Sequence, residues 1–159
     1  MTREHAWAPV GKRITGHVPR NRGVVLTVIA SLTLNGIEAL MTHVGGTSGE
    51  VFMRFVREHL VPTLRAGDLV VMDNLGAHHC TGVKEAIQAA GADVLYMPPY
   101  SPDLNPIELC WSKMKAQPKR ARARTLPNLR NSIRAAAATV SQLDAEGWFL
   151  FCGYAVLCD

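Results

Sequence analysis

Two acidic residues stand where their carboxylates could hold a divalent metal ion. Asp73 directly follows the short apolar run Leu69–Met72, and Glu108 lies in the first turn of a helix predicted to begin at Asn105. Ligands of open α/β sheets bind in the crevice at the carboxyl ends of the strands. Since carboxylate oxygens are ligands that Mg²⁺ prefers, the two positions indicate a metal site at one edge of a sheet.

Both acids also have purely structural interpretations. Asp73 and Asn74 could form a turn at the strand end, because both residue types hydrogen-bond their own backbone. Glu108 could complete a capping box with Asn105 as the helix N-cap. Local sequence does not choose between these interpretations and a metal site. Asp103 is predicted to be a loop or turn acid.

The sequence His78-His79-Cys80 superficially suggests a zinc site. Adjacent ligands point in different directions, however, and no matching pair of ligands occurs elsewhere in the chain. We therefore do not predict zinc. His78 has two open interpretations, as a residue beside the metal site or as a packed or solvated histidine at a helix start.

The elements predicted to position these residues alternate between strands and helices. Two apolar runs flank Asn35-Gly36, which is the strongest short-range signal for a hairpin. The predicted order is Val24–Leu34 and Ile37–Val44 as strands, a helix from Ser48 to about Leu64, a strand at Leu69–Met72, a helix at about Gly82–Ala90, a strand at Val94–Met97, and helices at Asn105 to about Lys119 and about Pro127–Val140. The short apolar runs are typical of interior strands covered on both faces. This order predicts an α/β domain with a mixed sheet.

Composition limits the class of protein. The 159 residues are enough for one domain, and 48% hydrophobic with 19% charged residues is ordinary globular composition rather than disorder. No apolar run approaches the roughly 20 residues of a membrane-spanning helix, and no signal peptide is visible. The scattered cysteines are typical of reduced thiols, which predicts a cytosolic protein.

Two longer motifs contain the candidate residues. The first is Val-Val-Met-Asp73-Asn74 with His78 four residues later, and the second is Pro-Pro-Tyr-Ser-Pro-Asp-Leu-Asn-Pro-Ile-Glu108, followed by Trp111 and Lys115. Together they resemble the DDE transposases of bacterial insertion sequences related to mariner. The 34 residues between Asp73 and Glu108 match the spacing of that superfamily. The resemblance covers in effect the whole chain.

The resemblance implies a ribonuclease H-like mixed sheet with flanking helices, formed by residues 1–159 as a single catalytic domain. It implies DNA strand cleavage and strand transfer with two Mg²⁺ (or Mn²⁺) ions held by three carboxylates. By matching, Asp73 would be the second of these carboxylates and Glu108 the third. Asn74, His78 and Asn105 would lie beside the metal ligands or contact the substrate.

In the same family, the first aspartate ends a central first strand in an Asp-Glu pair, shortly before a segment that resembles Met1-Thr-Arg here. Residues 1–67 contain no aspartate, and none of their glutamates is placed as a substitute. We therefore expect the chain to lack the first strand and the upstream helix-turn-helix region, and to be inactive alone. A second reading frame could supply the missing part, or the gene could be a decayed copy.

A basic stretch follows Glu108. No acid occurs before Asp144, and the net charge of +4 permits a polyanionic partner. A solvated helix face is one interpretation, but the position beside the predicted metal site favours contacts with DNA phosphates. The candidate DNA-binding residues are Lys113, Lys115, Lys119, Arg120, Arg122 and Arg124, with Arg130 and Arg134 completing the stretch.

Two other functions were compared with a transposase fragment. A non-catalytic DNA-binding remnant could inhibit the complete transposase by mixed assembly. Another ribonuclease H-like nuclease, such as a resolvase, is disfavoured by the Asn-Pro-Ile-Glu108 helix start and by the spacing from Asp73. The predicted partners are DNA and either a second copy or the N-terminal part of the same transposase. The predicted location is the bacterial cytoplasm, at the nucleoid.

Overall fold

A computed structural model describes residues 9–11, 24–121 and 125–156 of the chain, without the side chains of residues 117–121. Helices and strands alternate after an opening hairpin, as predicted. Their bounds are β1 (Leu26–Thr33), β2 (Gly36–Val44), α1 (Gly49–Phe55), β3 (Leu69–Met72), α2 (Val83–Ala89), β4 (Asp93–Tyr96), α3 (Pro106–Ala121), α4 (Leu126–Ala137) and α5 (Gln142–Phe151). Within the described ranges, no helix has the length and apolar character needed to cross a bilayer.

The predicted hairpin is confirmed. β1 and β2 pair antiparallel with Thr33 opposite Gly36, so Leu34 and Asn35 form the two-residue loop. Gly36 has φ +109°, a conformation that residues with a Cβ rarely adopt. A Cβ at this position would also lie 3.0 Å from the carbonyl oxygen of Val140. The hairpin end therefore packs directly against the segment that follows α4.

The helix predicted to begin at Ser48 is also confirmed, but its second half is irregular. Ser48 caps α1, since its Oγ accepts a hydrogen bond from the Val51 amide at 3.3 Å. A π-helical turn (Val56–Leu60) and a 3₁₀ turn (Val61–Thr63) continue α1. Pro62 lies in the 3₁₀ turn, and a proline has no N–H to continue an α-helical ladder.

The positions of the next two strands were predicted correctly, but their burial was not. β3 and β4 pair parallel, from Leu69 opposite Asp93 to Met72 opposite Tyr96. Coverage on both faces was predicted, and this was wrong, because Val71 is 36% exposed and Leu95 is 51% exposed. Alternate residues of each strand point to opposite faces, and only one face of this pair packs against helices. The described strands form two two-stranded sheets, one antiparallel and one parallel, within the predicted α/β fold.

Three helices complete the fold, whereas two were predicted after Asn105. The helix that was missed is α5, which begins with a capping box. Ser141 Oγ accepts from the Asp144 amide, and an Asp144 carboxylate oxygen accepts from the Ser141 amide at 2.9 Å. Lys113 of α3 donates to the same carboxylate, so α3 and α5 are joined by an ion pair.

The buried residues form two clusters, one on each side of the hairpin. The first joins β2, α1, α2, β3 and β4, and Val56, Val83 and Ile87 are its fully buried residues. The second joins the other face of the hairpin to α3, α4 and α5, with Cys110 and Ala136 fully buried. The candidate site lies where elements of both clusters meet.

Candidate active site

Asp73 directly follows β3 and is held by two local contacts. Its Oδ1 accepts a hydrogen bond from the Leu75 amide at 3.1 Å and lies 2.7 Å from Nδ1 of His78. The first contact is the turn that the sequence left open as a structural interpretation. This turn leaves the second carboxylate oxygen of Asp73 available, because no described residue bonds Oδ2. The side chain is 52% exposed, so a cation can approach that oxygen from solvent.

The loop after β3 is braced by side chains that tie it to neighbouring elements. His78, 17% exposed, packs its ring on Phe52 of α1 with ring centroids 4.2 Å apart. Asn74 donates to the Met97 carbonyl at 3.3 Å and its amide oxygen lies 2.6 Å from Nε2 of His79. Asn74 and His78 therefore hold the loop, and His78 also orients Asp73.

Two residues of this network were not singled out from the sequence. His79 stacks on Tyr96 at 4.2 Å between ring centroids, and the Tyr96 hydroxyl donates to the His78 carbonyl at 3.2 Å. In the sequence, His79 suggests only a zinc ligand. Its position could have indicated its role. His79 lies near Asn74 in the loop that follows a strand, and such a loop needs side chains that hold it in place.

Glu108 lies in the first turn of α3, as predicted. Its backbone amide donates to the Asn105 carbonyl at 3.1 Å. The predicted alternative, a capping box with Asn105, is not formed, since the Glu108 carboxylate has no hydrogen-bond partner among the described residues. Glu108 is exposed and Asn105 is half-buried. The Glu108 carboxylate is therefore available for a ligand.

Asp73, Asn74, Asn105 and Glu108 line one cavity of about 500 Å³. Leu75 and the segment Met97–Pro102, which links β4 to α3, complete the wall. Tyr100 in this segment is fully exposed and has φ +58°, which is uncommon for a residue other than glycine. The structure thus brings the residues predicted for the metal site together around one opening, although they are distant in sequence.

A further tyrosine, which the sequence reasoning did not assign a role, fixes the segment before Glu108. The Tyr154 hydroxyl donates to the Leu104 carbonyl at 2.9 Å, and the Tyr154 ring packs edge-on against Phe149. Burial raises the pKa of this hydroxyl, which keeps it a neutral donor. The segment that follows α5 therefore anchors the turn that precedes Asn105.

The donors present fit a hard divalent cation such as Mg²⁺. Both acids offer carboxylate oxygens, and the cavity is open to water, which Mg²⁺ retains in its coordination shell. Among the described residues, no group of three or more His, Cys, Asp or Glu side chains is close enough to hold a metal. The described side chains of Asp73 and Glu108 thus supply two candidate carboxylate ligands.

The basic residues of α3 differ in their contacts. The Lys113 ammonium group bonds the Asp144 carboxylate and the Thr139 carbonyl oxygen, the latter at 3.0 Å. Lys115 is exposed. The side chains of Lys119 and Arg120, and the whole of Arg122 and Arg124, lie outside the described residues. Contacts of these residues with DNA remain predictions, and Lys113 has an intramolecular partner.

Solved structures with a similar fold are transposase complexes. The Mos1 strand transfer complex superposes with a TM-score of 0.65 at 17% identity, over 94% of this chain and 45% of that chain. A pre-cleavage Mos1 transpososome gives a TM-score of 0.63 at 15% identity, over 98% and 52% of the two chains. The Mos1 mariner paired end complex with Mn gives 0.62 at 16% identity, over 94% and 46%. This chain thus spans about half the length of those proteins, and at these identities the likeness establishes the fold.

A search of curated protein sequences found no match. A family model described as DDE superfamily endonuclease matches residues 1–130, which include both candidate carboxylates. This match covers most of the chain and agrees with the motifs around Asp73 and Glu108. The chain belongs to the DDE superfamily of endonucleases.

Proposed function

We propose that the chain is the catalytic-domain portion of a DNA transposase that cleaves and transfers DNA strands with two Mg²⁺ or Mn²⁺ ions. The observation that carries this proposal is the cavity shared by Asp73 and Glu108, two acids with 34 residues between them in a chain of the DDE endonuclease family. The Mos1 complexes have the same fold, and they include a paired end complex with Mn and a paired-end complex with the left transposon end, which supports the same chemistry here.

Asp73 and Glu108 would hold the metal through their unbonded oxygens. Bound ions in such sites activate the attacking water or hydroxyl and stabilise the leaving oxygen. The contributions of this chain are to fix the ligands and to admit the substrate. His78 holds Asp73 through Oδ1, leaving Oδ2 for a cation. Asn74 fixes the loop, and Asn105 faces the same cavity, where it can contact a DNA phosphate.

We also propose that the residues present are not sufficient for catalysis. Three carboxylates are expected around two ions in this family, and the described residues place two acids, Asp73 and Glu108, in the cavity. Loss of one ligand weakens metal binding and removes the geometry that aligns the attacking and leaving oxygens. The isolated chain is therefore expected to bind a divalent ion weakly and to leave DNA intact.

A Mn²⁺ titration tests the metal site. Amide signals of residues 73–75 and 105–108 should broaden in the unaltered chain, and Asp73→Asn or Glu108→Gln should weaken the apparent affinity roughly tenfold or more. Asp93→Asn is the matched control, because Asp93 is an exposed acid at the start of β4, away from the cavity. Equal affinity in all four proteins would contradict the site.

The same proteins test the prediction of inactivity. Supercoiled plasmid DNA incubated with the chain and Mg²⁺ or Mn²⁺ should remain uncut. Metal-dependent nicking that Asp73→Asn abolishes would show that the two described carboxylates suffice, and the proposed third ligand would be unnecessary.

DNA is the proposed substrate, and Lys115 is the best placed of the described lysines to contact its phosphates. Lys115→Ala should weaken DNA binding and reduce the slope of log affinity against log salt by about 0.9. Lys113→Ala is the matched control, because the Lys113 ammonium group is already bonded to Asp144. A larger effect for Lys113→Ala than for Lys115→Ala would overturn this assignment. An enzyme of this kind acts on chromosomal DNA, which in bacteria lies in the cytoplasm at the nucleoid.

A further inference from the structure

Two tyrosine hydroxyl groups hold the main chain beside the two candidate ligands. The Tyr96 hydroxyl donates to the His78 carbonyl oxygen at 3.2 Å, in the loop that follows Asp73. The Tyr154 hydroxyl donates to the Leu104 carbonyl oxygen at 2.9 Å, in the turn that precedes α3. Neither tyrosine lines the cavity of about 500 Å³, so each acts on a ligand there only through the main chain that it holds.

The loop after β3 is closed onto the end of β4 by a ring of contacts. Asn74 donates an amide hydrogen to the Met97 carbonyl, so its amide oxygen is the acceptor. Nε2 of His79, 2.6 Å from that oxygen, therefore carries a proton and donates the hydrogen bond. The His79 ring stacks on the Tyr96 ring, with 24° between the ring planes. Tyr96 thus holds the loop at His78 through its hydroxyl and at His79 through its ring.

This loop sets the direction of the Asp73 carboxylate. Oδ1 of Asp73 accepts from the Leu75 amide at 3.1 Å and lies 2.7 Å from Nδ1 of His78. The His78 amide donates to the Leu75 carbonyl at 2.8 Å, so both partners of Oδ1 belong to one turn. Because Oδ1 is fixed by this turn, the direction of the unbonded Oδ2 is fixed as well. A movement of the turn would therefore redirect the oxygen that is left for a cation.

The start of α3 is anchored in a similar way. The 3₁₀ turn Pro102–Leu104 ends one residue before Asn105, whose carbonyl accepts from the Glu108 amide at 3.1 Å. Tyr154 holds this turn at the Leu104 carbonyl, and burial raises the pKa of its hydroxyl, which stays a neutral donor. The Glu108 carboxylate has no partner among the described residues. The position of its oxygens therefore depends on the backbone that Tyr154 anchors.

Ligands held in fixed positions distinguish between divalent cations. Mg²⁺ requires near-ideal octahedral geometry with oxygens at about 2.0–2.1 Å, whereas Ca²⁺ accepts more oxygens, at about 2.3–2.6 Å, in flexible arrangements. When the ligands of a site become mobile, the site therefore loses affinity for Mg²⁺ before it loses affinity for Ca²⁺.

We propose that Tyr96 and Tyr154 are positioning residues that make the candidate site selective for Mg²⁺ over Ca²⁺. Each hydroxyl group fixes, through one backbone carbonyl, the segment that carries one candidate carboxylate. The selectivity rests on the proposed function, whereas the anchoring of the two segments does not.

Amide hydrogen exchange in the full chain without metal tests the anchoring. Tyr96→Phe and Tyr154→Phe each remove one oxygen atom and keep the ring, so both variants are expected to fold. Tyr96→Phe should speed exchange of the Leu75 and His78 amides about three- to tenfold, because the turn loses one hydrogen bond. It should leave the Glu108 amide unchanged. Tyr154→Phe should speed exchange of the Glu108 amide and leave the other two unchanged.

Titration of the same proteins with Mg²⁺ and with Ca²⁺ tests the selectivity, with the amide chemical shifts of residues 73–75 and 105–108 as the readout. Each tyrosine variant should bind Mg²⁺ about fivefold or more weakly, while its affinity for Ca²⁺ changes less than about twofold. Thr139→Val is the matched control. The Thr139 hydroxyl also donates to a backbone carbonyl, that of Ala136 at 2.7 Å, but Thr139 does not line the cavity. The control should leave both affinities unchanged.

The outcomes separate this proposal from the proposed function. Unchanged amide exchange in both tyrosine variants would overturn the anchoring. Equal losses of affinity for Mg²⁺ and Ca²⁺, or a loss in Thr139→Val as large as in the tyrosine variants, would overturn the selectivity and leave the proposed metal site intact. If neither these cations nor Mn²⁺ affected residues 73–75 and 105–108 of the unaltered chain, the selectivity would fall together with the proposed function.

Discussion

The hairpin β1–β2 and the parallel pair β3–β4 are both two-stranded sheets, but they differ in how their faces are covered. Met41 of the hairpin is buried toward α1, and Leu40 packs on the opposite face against the helices α3 to α5. In the parallel pair, Met72 is buried toward α1, whereas Val71 and Leu95 on the other face are largely exposed. The hairpin is thus an interior sheet and the parallel pair an open one.

This difference shows which part of the fold is open to a ligand. Asp73 follows a strand of the open pair and Glu108 begins a helix packed on the closed half, so the cavity lies at the border between the two. The proposed metal ion and DNA strand would need access from solvent, while the residues that bind them would need a rigid support. The closed half provides the support, and the open half provides the access.

The largest expected effect comes from truncating a core residue of the closed sheet. Met41→Ala should lower the free energy of unfolding by about 2–5 kcal/mol, because it leaves a cavity between β2 and α1. Leu95→Ala on the open face should cost less than about 1 kcal/mol, because the side chain is already half in water. Urea unfolding of both variants measures the difference, and equal losses would show that the open face is covered in solution.

A smaller effect is expected from the ion pair that joins α3 to α5. The hydrogen bond from Lys113, with further bonds from Ser141, lowers the pKa of Asp144 from 3.8 to about 2. Because the pKa is lower in the folded chain, the contribution to stability is complete above about pH 4 and is lost as the pH falls toward 2.

Asp144→Asn should therefore remove part of the acid sensitivity of the closed half. Between pH 4.5 and 2.5, the unaltered chain should lose up to about 1 kcal/mol more stability than the variant, as expected for a partly exposed pair. Urea unfolding at the two pH values measures this difference. Identical losses in both proteins would show that the Lys113–Asp144 pair does not contribute.

The sequence predicted features that depend on neighbouring residues. The hairpin at Asn35-Gly36, the Ser48 cap and the strand before Asp73 follow from turn chemistry, capping and short apolar runs, and all were confirmed. The α5 helix was missed, although Ser141 and Asp144 form the spacing of a capping box. The run Trp148–Phe151 is apolar at every position, so it has no polar face that would indicate a helical period.

Features that depend on the tertiary contacts of a residue could not be predicted from the sequence in this way. An apolar run such as Leu69–Met72 is compatible with coverage on one face or on both, because the sequence does not state how many layers pack against a strand. Lys113 and Lys115 look alike in the sequence, yet among the described residues Lys113 meets an acid, Asp144 of α5, and Lys115 does not.

By itself, the sequence determined the family and predicted the two candidate carboxylates, because the motifs around Asp73 and Glu108 are local and specific. Only the tertiary structure decided that both acids open into one cavity, that Asp73 keeps one oxygen unbonded, and that two tyrosine hydroxyl groups hold the segments beside them. These features depend on packing between segments that are far apart in the sequence. No single segment of the sequence therefore specifies them.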